Sequence, residues 1–95
     1  MHAGKLLLVL RGRDPWGGRW DIPGGFCDGA EHPVDAARRE VLEEAGVACE
    51  ITGCLGAWLD VYSDGLPTIN AYFLAEAASA QVGEPDGTEI TEIAW

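Results

Sequence analysis

Apolar residues fall into short runs whose period changes along the chain. Leu6-Leu7-Leu8-Val9-Leu10 is unbroken and ends at Arg11-Gly12, the pattern of a strand buried on both faces. The turn-rich stretch 12–19 reads as an exposed loop, and Trp20-Asp21-Ile22 as a short strand stopped by Pro23-Gly24-Gly25. A helical period then takes over. Pro33 suits a first turn because its missing N–H costs nothing there. No glycine or proline interrupts Val34 to Ala45, and Gly46 supplies a left-handed stop. Val34, Ala37, Val41 and Ala45 make one apolar stripe. Strand character returns from Val47 to Tyr62, broken near Gly53 and Gly56, and Ser63-Asp64-Gly65 is a turn. Thr68 to Ala75 is a strand with Ile69, Ala71, Phe73 and Ala75 on one face, and Trp58 and Phe73 are assigned to the core. A polar loop, 76–88, leads to a last strand from Glu89 to Trp95. Strands, one helix and more strands predict an α+β domain, with a mixed sheet and the helix on one of its faces.

With 95 residues the chain is one domain, 1–95, with a modest core. Sixteen acidic residues against six basic ones give a net charge of −10. That balance excludes holding nucleic acid directly by its phosphates, because repulsion opposes it. Phosphates stay accessible to such a chain only where cations bridge the two. Three cysteines, Cys27, Cys49 and Cys54, form no C-x-x-C pair and argue for free thiols in a reducing, cytoplasmic setting. No apolar run approaches the ~20 residues of a membrane span, and the run 6–10 is too short for a signal-peptide core.

The helix carries its chemistry on the charged side. Glu40, Glu43 and Glu44 fall within about 100° of one another. Like charges at these spacings cost roughly 0.2–0.5 kcal/mol per pair, and the C-terminal half of a helix disfavours anions. A hard divalent cation reverses that penalty, since Mg²⁺ binds through a few carboxylates together with substrate phosphates. Arg39 reaches Glu43 at i,i+4. A bare E-x-x-E-E is more often a solvated face, so the surrounding residues decide.

From Gly25 to Val47 the chain reads Gly25, five residues, Glu31, seven residues, Arg39-Glu40-Val41, Leu42, Glu43-Glu44, Ala45, Gly46-Val47. This resembles the Nudix box, G-x5-E-x7-R-E-U-x-E-E-x-G-U with U aliphatic, at every defined position. Trp20-Asp21-Ile22-Pro23-Gly24-Gly25-Phe26 resembles the usual entry into it. The resemblance implies an α/β/α sandwich with a mixed central sheet and a loop–helix–loop metal platform. It further implies a strand before the first one here and a helix after the last, so that the domain looks truncated at both ends. It implies an enzyme acting on acid anhydrides, hydrolysing a nucleoside diphosphate linked to another moiety, with Mg²⁺ (or Mn²⁺ in its place). Glu40, Glu43 and Glu44 are then the metal-contacting carboxylates, with a carbonyl of Gly24 or Gly25 as a further ligand. Arg39 orients the cluster and Glu31 anchors the loop. A tight glycine loop is what brings backbone close to metal and phosphate.

A further carboxylate is expected to serve as base, from Glu84, Glu89 or Glu92; Glu89 is favoured because Glu89-x-x-Glu92-x-x-Trp95 resembles the family's closing strand. Arg11, Arg13 and Arg19 hold half of the basic residues and are candidates for substrate phosphate, with Trp16 for a stacked base. Asp60, Tyr62 and Asn70 lie where substrate-binding strands run in similar folds, with no motif to fix their role. His32 reads as a surface residue and Cys27 as neutral. The general look favours an ADP-ribose-like or dinucleotide substrate. The alternatives are a nucleoside triphosphate and, in another class, a nucleotide-sensing module without turnover. An exposed sheet edge and the habits of similar proteins point to a homodimer.

Overall fold

The helical period between Val34 and Ala45 becomes a real helix because both ends are capped. The computed structural model describes residues 1–14, 16–61 and 65–95. In it α1 spans Pro33–Ala45. His32, in extended conformation, accepts the Val34 N–H at its Nδ1, 3.1 Å away, so this residue is the N-cap as well as a surface group. Pro33 fills the first turn. Gly46 closes the other end at φ 67°, its N–H returning to the Leu42 carbonyl. A Cβ on Gly46 would lie 2.6 Å from the Gly83 Cα, and the Gly83 N–H donates to the Ala45 carbonyl at 2.8 Å. The helix therefore ends against the loop that precedes the last strand. Gly46→Ala is expected to cost about 2 kcal/mol or more, from the left-handed φ alone and the backbone collision besides. Thermal unfolding should show Tm lower by about 10 °C; an unchanged Tm would mean that this junction yields freely.

Among the described residues five strands accompany the helix: β1 Leu8–Arg11, β2 Trp20–Asp21, β3 Cys49–Val61, β4 Pro67–Ala77 and β5 Ile90–Ala94. They form an α+β domain with a three-stranded sheet in the order β2-β1-β5 and a two-stranded ribbon β3-β4, each pair antiparallel. The core lies where these pieces meet. Leu7, Val9, Ala45, Val47, Ala77 and Ile90 are buried together, with Val41, Val82, Ile93 and Trp95 packed against them. The chain start is tied in as well: the Met1 amino group donates to the Ala75 carbonyl and the Ala77 N–H donates to Met1.

The run at 6–10 is not buried on both faces. Strand alternation sends Leu7 and Val9 into the core, while Leu8 and Leu10 are half-buried and Leu6 is exposed. Among the described residues one helix is too little to cover both faces of this strand.

The expected breaks near Gly53 and Gly56 are bulges. The register slips between Ile51 and Gly53 and again between Cys54 and Gly56, so β3 takes two extra residues and continues as one strand. Past the bulges the ribbon runs out beyond the core. The stripe of Ile69, Ala71, Phe73 and Ala75 is covered only towards Phe73 and Ala75; Ile69 and Ala71 are exposed. Opposite them, Leu59 and Ala57 are exposed too, through the pairs Leu59↔Ile69 and Ala57↔Ala71. Trp58 is not core either: it is 51% exposed and meets Tyr72 edge-on at 5.3 Å. The turn assigned to Ser63-Asp64-Gly65 and the role weighed for Tyr62 lie, apart from Gly65, outside the described residues.

Candidate active site

The loop leading into α1 is organised by one side chain. Arg39 donates from Nε to Glu31 Oε2 at 3.0 Å and from Nη2 to Glu31 Oε1 and the Phe26 carbonyl, each at 3.0 Å. Its Nη1 reaches Glu40 Oε1 at 2.9 Å and Glu43 Oε2 at 3.0 Å. Asp28 stands 3.6 Å away. Glu31 also accepts the Asp28 N–H at 3.1 Å. The guanidinium fork, rigid and multidentate, thus binds loop to helix and aligns two of the helix's carboxylates. The hydrogen bond from Arg39, then that from the Asp28 backbone, holds the Glu31 carboxyl below the ordinary range. Glu31 in turn raises the Arg39 guanidinium further above its already high value. Glu31 as loop anchor and the Arg39–Glu43 pair follow the sequence reading; Asp28 and the Phe26 carbonyl had no signal in it, because the pattern leaves both positions open.

Glu44 is in the opposite situation. Burial, then repulsion from Glu40, pushes its carboxyl up to about 7, against the Gly24 N–H and the charge of Arg11, which pull it down. Gly25 sits directly on this pair: a Cβ there would lie 2.5 Å from the Glu40 carboxyl carbon. Gly25→Ala is therefore expected to displace Glu40 and weaken the site, read as a lower kcat at unchanged far-UV dichroism; full activity would show that Glu40 has room to move.

A carboxyl raised by burial and by a neighbouring carboxylate has one sign of pH dependence. Folded Glu44 keeps its proton above the pH at which an unfolded glutamate loses it, so the unfolded chain binds fewer protons between 4.5 and about 7. Stability then falls as pH rises through that window. Glu31 and Asp86, both shifted downward, finish titrating below it. Unfolding in a chelator should show Tm declining from about pH 5 to pH 7.5, and Glu44→Gln should flatten the decline. An equally steep decline in the variant would assign it elsewhere.

These donors fit a divalent cation: two crowded carboxylates of which one resists ionisation, a third beside them, and a glycine backbone within touching distance. Among the described residues no three such groups converge on one point. Glu40 and Glu43 each give an oxygen to Arg39, and Glu44 is held by Gly24.

Beside the acidic face opens a cleft of about 420 Å³. Arg11, Arg19 and Trp16 line it, as the sequence reading had grouped them, together with Trp20, Asp21, Asp60 and Tyr72. Arg11 pairs with Asp21 at 3.6 Å and its charge reaches Glu44, linking the cleft to the carboxylates. Arg13 does not line the cleft; it is exposed and stands 3.8 Å from Glu89, itself exposed. Among the described residues Glu89 pairs with Arg13 and not with Glu40, Glu43 or Glu44. The sequence signals Trp20 and Asp21 only as a strand; its two-residue length at a sheet edge lets them line a cleft.

The NUDIX domain model matches residues 1–95, the whole chain. The chain belongs to the NUDIX family. An ADP-ribose pyrophosphatase from Methanocaldococcus jannaschii is 35% identical over 54 residues, which are 57% of this chain and 32% of that protein. A Bacillus subtilis protein described as a candidate 8-oxo-dGTP diphosphatase is 32% identical over 91 residues, 96% of this chain and 56% of that one. The NUDIX chain here thus spans between a third and just over half of these curated relatives. Among solved structures, a MutT NUDIX hydrolase from Burkholderia pseudomallei superposes with a TM-score of 0.88 at 29% identity, over 100% of this chain and 74% of that one. A NUDIX hydrolase from Nitrosomonas europaea gives 0.78 at 30% identity, over 93% and 47%. The fold expected from the box is the fold these comparisons show.

Proposed function

We propose that this NUDIX chain hydrolyses the diphosphate linkage of a small nucleotide-type substrate with Mg²⁺ (or Mn²⁺) held by Glu40, Glu43 and Glu44. The observation that carries this reading is the Glu40–Glu44 pair, where one carboxyl is pushed up to about 7 because burial and its neighbour oppose its charge. A structural face has no reason to keep such a pair; a cation site does. When bound, the cation supplies positive charge for the diphosphate and acidifies a water. The chain's own residues do the rest. Arg39 positions Glu40 and Glu43, and the Gly24 N–H positions Glu44. Backbone of Gly24 and Gly25 is near enough to offer a carbonyl. Arg11 and Arg19 receive phosphate from the cleft side. Arg13, paired with Glu89, is left to steer anions from outside the cleft, and Glu89 keeps the part of proton acceptor only by resemblance.

The sequence's preference for an ADP-ribose-like or dinucleotide substrate has support from the Methanocaldococcus relative, and the triphosphate alternative from the Bacillus one. No described helix is long and apolar enough to cross a membrane, and the cytoplasm is the compartment this reading assumes. A homodimer belongs to the same reading: the uncharged outer face of the ribbon around Leu59 and Ile69 spares a chain of net charge −10 any like-charge contact there. The test is product release from ADP-ribose, dinucleotides, nucleotide sugars and nucleoside triphosphates, with magnesium or with chelator. Magnesium-dependent cleavage of any of them is expected; a folded protein that cleaves none has kept the fold as a nucleotide-sensing module.

A further inference from the structure

We infer that Asp60, held by Asn70, reads the base of the substrate and selects a guanine-type edge, in which a ring N–H stands beside an exocyclic amine. The inference rests on the cleft taking a nucleotide, as proposed above, and within that reading it favours a guanine nucleotide over an ADP-ribose-like one.

Asp60 lies on β3 at the junction of two hollows. It lines the 420 Å³ cleft and also a neighbouring one of about 390 Å³ that includes Leu55, Trp58 and Leu59. It is half-buried, and Asn70 of β4 donates to its Oδ2 from Nδ2 at 2.6 Å. That contact is diagonal across the ribbon, since Asp60 is registered with Thr68 and Asn70 with Trp58. The carboxylate is therefore fixed in direction, not swinging in solvent. Around it stand aromatic rings, Trp16, Trp20 and Tyr72, which suit a flat heterocycle.

Charge sorts the cleft into ends. Arg11 and Arg19 supply the positive side, and the acid next to them, Asp21, is already matched by Arg11 at 3.6 Å. Asp60 would repel a phosphate, so a nucleotide held by the arginines presents its other end to Asp60. An ionised carboxylate only accepts hydrogen bonds. Among the common bases, guanine offers two adjacent donors on one edge. Adenine and cytosine set a ring acceptor beside their amine, and uracil sets its N–H between two carbonyls. A fixed acceptor pair facing an acceptor leaves groups unpaired, which is where strong discrimination arises.

The test is calorimetric titration of the full chain with GMP, IMP and AMP. IMP lacks only the exocyclic amine of GMP. GMP is expected to bind about tenfold more tightly than IMP, and more tightly still than AMP. Asp60→Asn replaces one acceptor by a donor, and should abolish or invert the preference of GMP over AMP while leaving weak phosphate-dependent binding. Because the ligand series is read on the natural chain, the inference stays exposed if the variant does not fold. Equal binding of the three overturns it, and a penalty shared by dGMP and dAMP would reassign Asp60 to the ribose. Binding of none also overturns it. Magnesium-dependent hydrolysis without base preference would then sink this inference alone, and absence of hydrolysis would sink the parent reading with it.

Discussion

Glu44→Gln is expected to remove most turnover while leaving the metal-free fold at least as stable as before. Both halves come from one fact. In the folded chain the Glu44 carboxylate is disfavoured by burial and by Glu40, which pushes it up to about 7. A neutral amide of the same shape relieves that opposition and can still accept from the Gly24 N–H. Above neutral pH, Tm in a chelator should therefore stay level or rise. Activity should fall about a hundredfold or more, the scale of losing a charged group from a reacting site. A purely structural glutamate predicts the reverse, a lower Tm with activity retained per folded molecule. Steady-state kinetics and thermal unfolding on one preparation separate the two.

Arg39→Lys is expected to be nearly as harmful as Arg39→Ala, although it keeps the charge. The side chain makes contacts to Glu31, Phe26, Glu40 and Glu43 from three nitrogens at once. An ammonium on a flexible stem cannot reproduce that fork. Loss of the positioning group frees the entry loop and turns Glu40 and Glu43 loose on a helix face that repels them. Activity should drop roughly ten- to a hundredfold, as for other groups that orient a metal's ligands. The signature of positioning is a raised magnesium requirement together with the lower kcat. A lysine variant with the natural magnesium dependence would reduce Arg39 to a simple counter-charge.

The helix and its charged face were legible because their signals are local. Pro33, Gly46 and the spacing of Arg39, Glu40, Glu43 and Glu44 fix the caps and the face within a few turns of chain. The family resemblance, confirmed across the whole chain, extended that to the fold. Two things escaped for a common reason. The exposure of Trp58 and the cleft wall of Trp20, Asp21 and Tyr72 depend on where distant segments stop; the N-cap by His32 is local, and escaped because histidine is not among the usual capping residues. Periodicity tells which side of a strand is apolar but not whether anything covers it. So Leu6 and Trp58 read as buried yet are exposed, and Ile69, on the apolar face of its strand, is exposed too. Likewise a glycine in a strand pattern signals either a break or a bulge, and only the pairing partner, here β4, decides. Glu89 is favoured on resemblance, and its partner is Arg13, brought beside it by the pairing of β1 with β5, which sequence spacing does not reveal.

The central claim is that the acidic face of α1 is a cation site. It is tested most directly by titrating the natural chain with Mn²⁺ and following the relaxation of water protons, beside the Glu44→Gln and Glu40→Gln variants. Saturable binding that enhances relaxation, displaced by Mg²⁺ and weakened at least about tenfold in each variant, is the expected result. Binding that is absent, or equal in all three proteins, would contradict the claim and leave the carboxylates as a surface face.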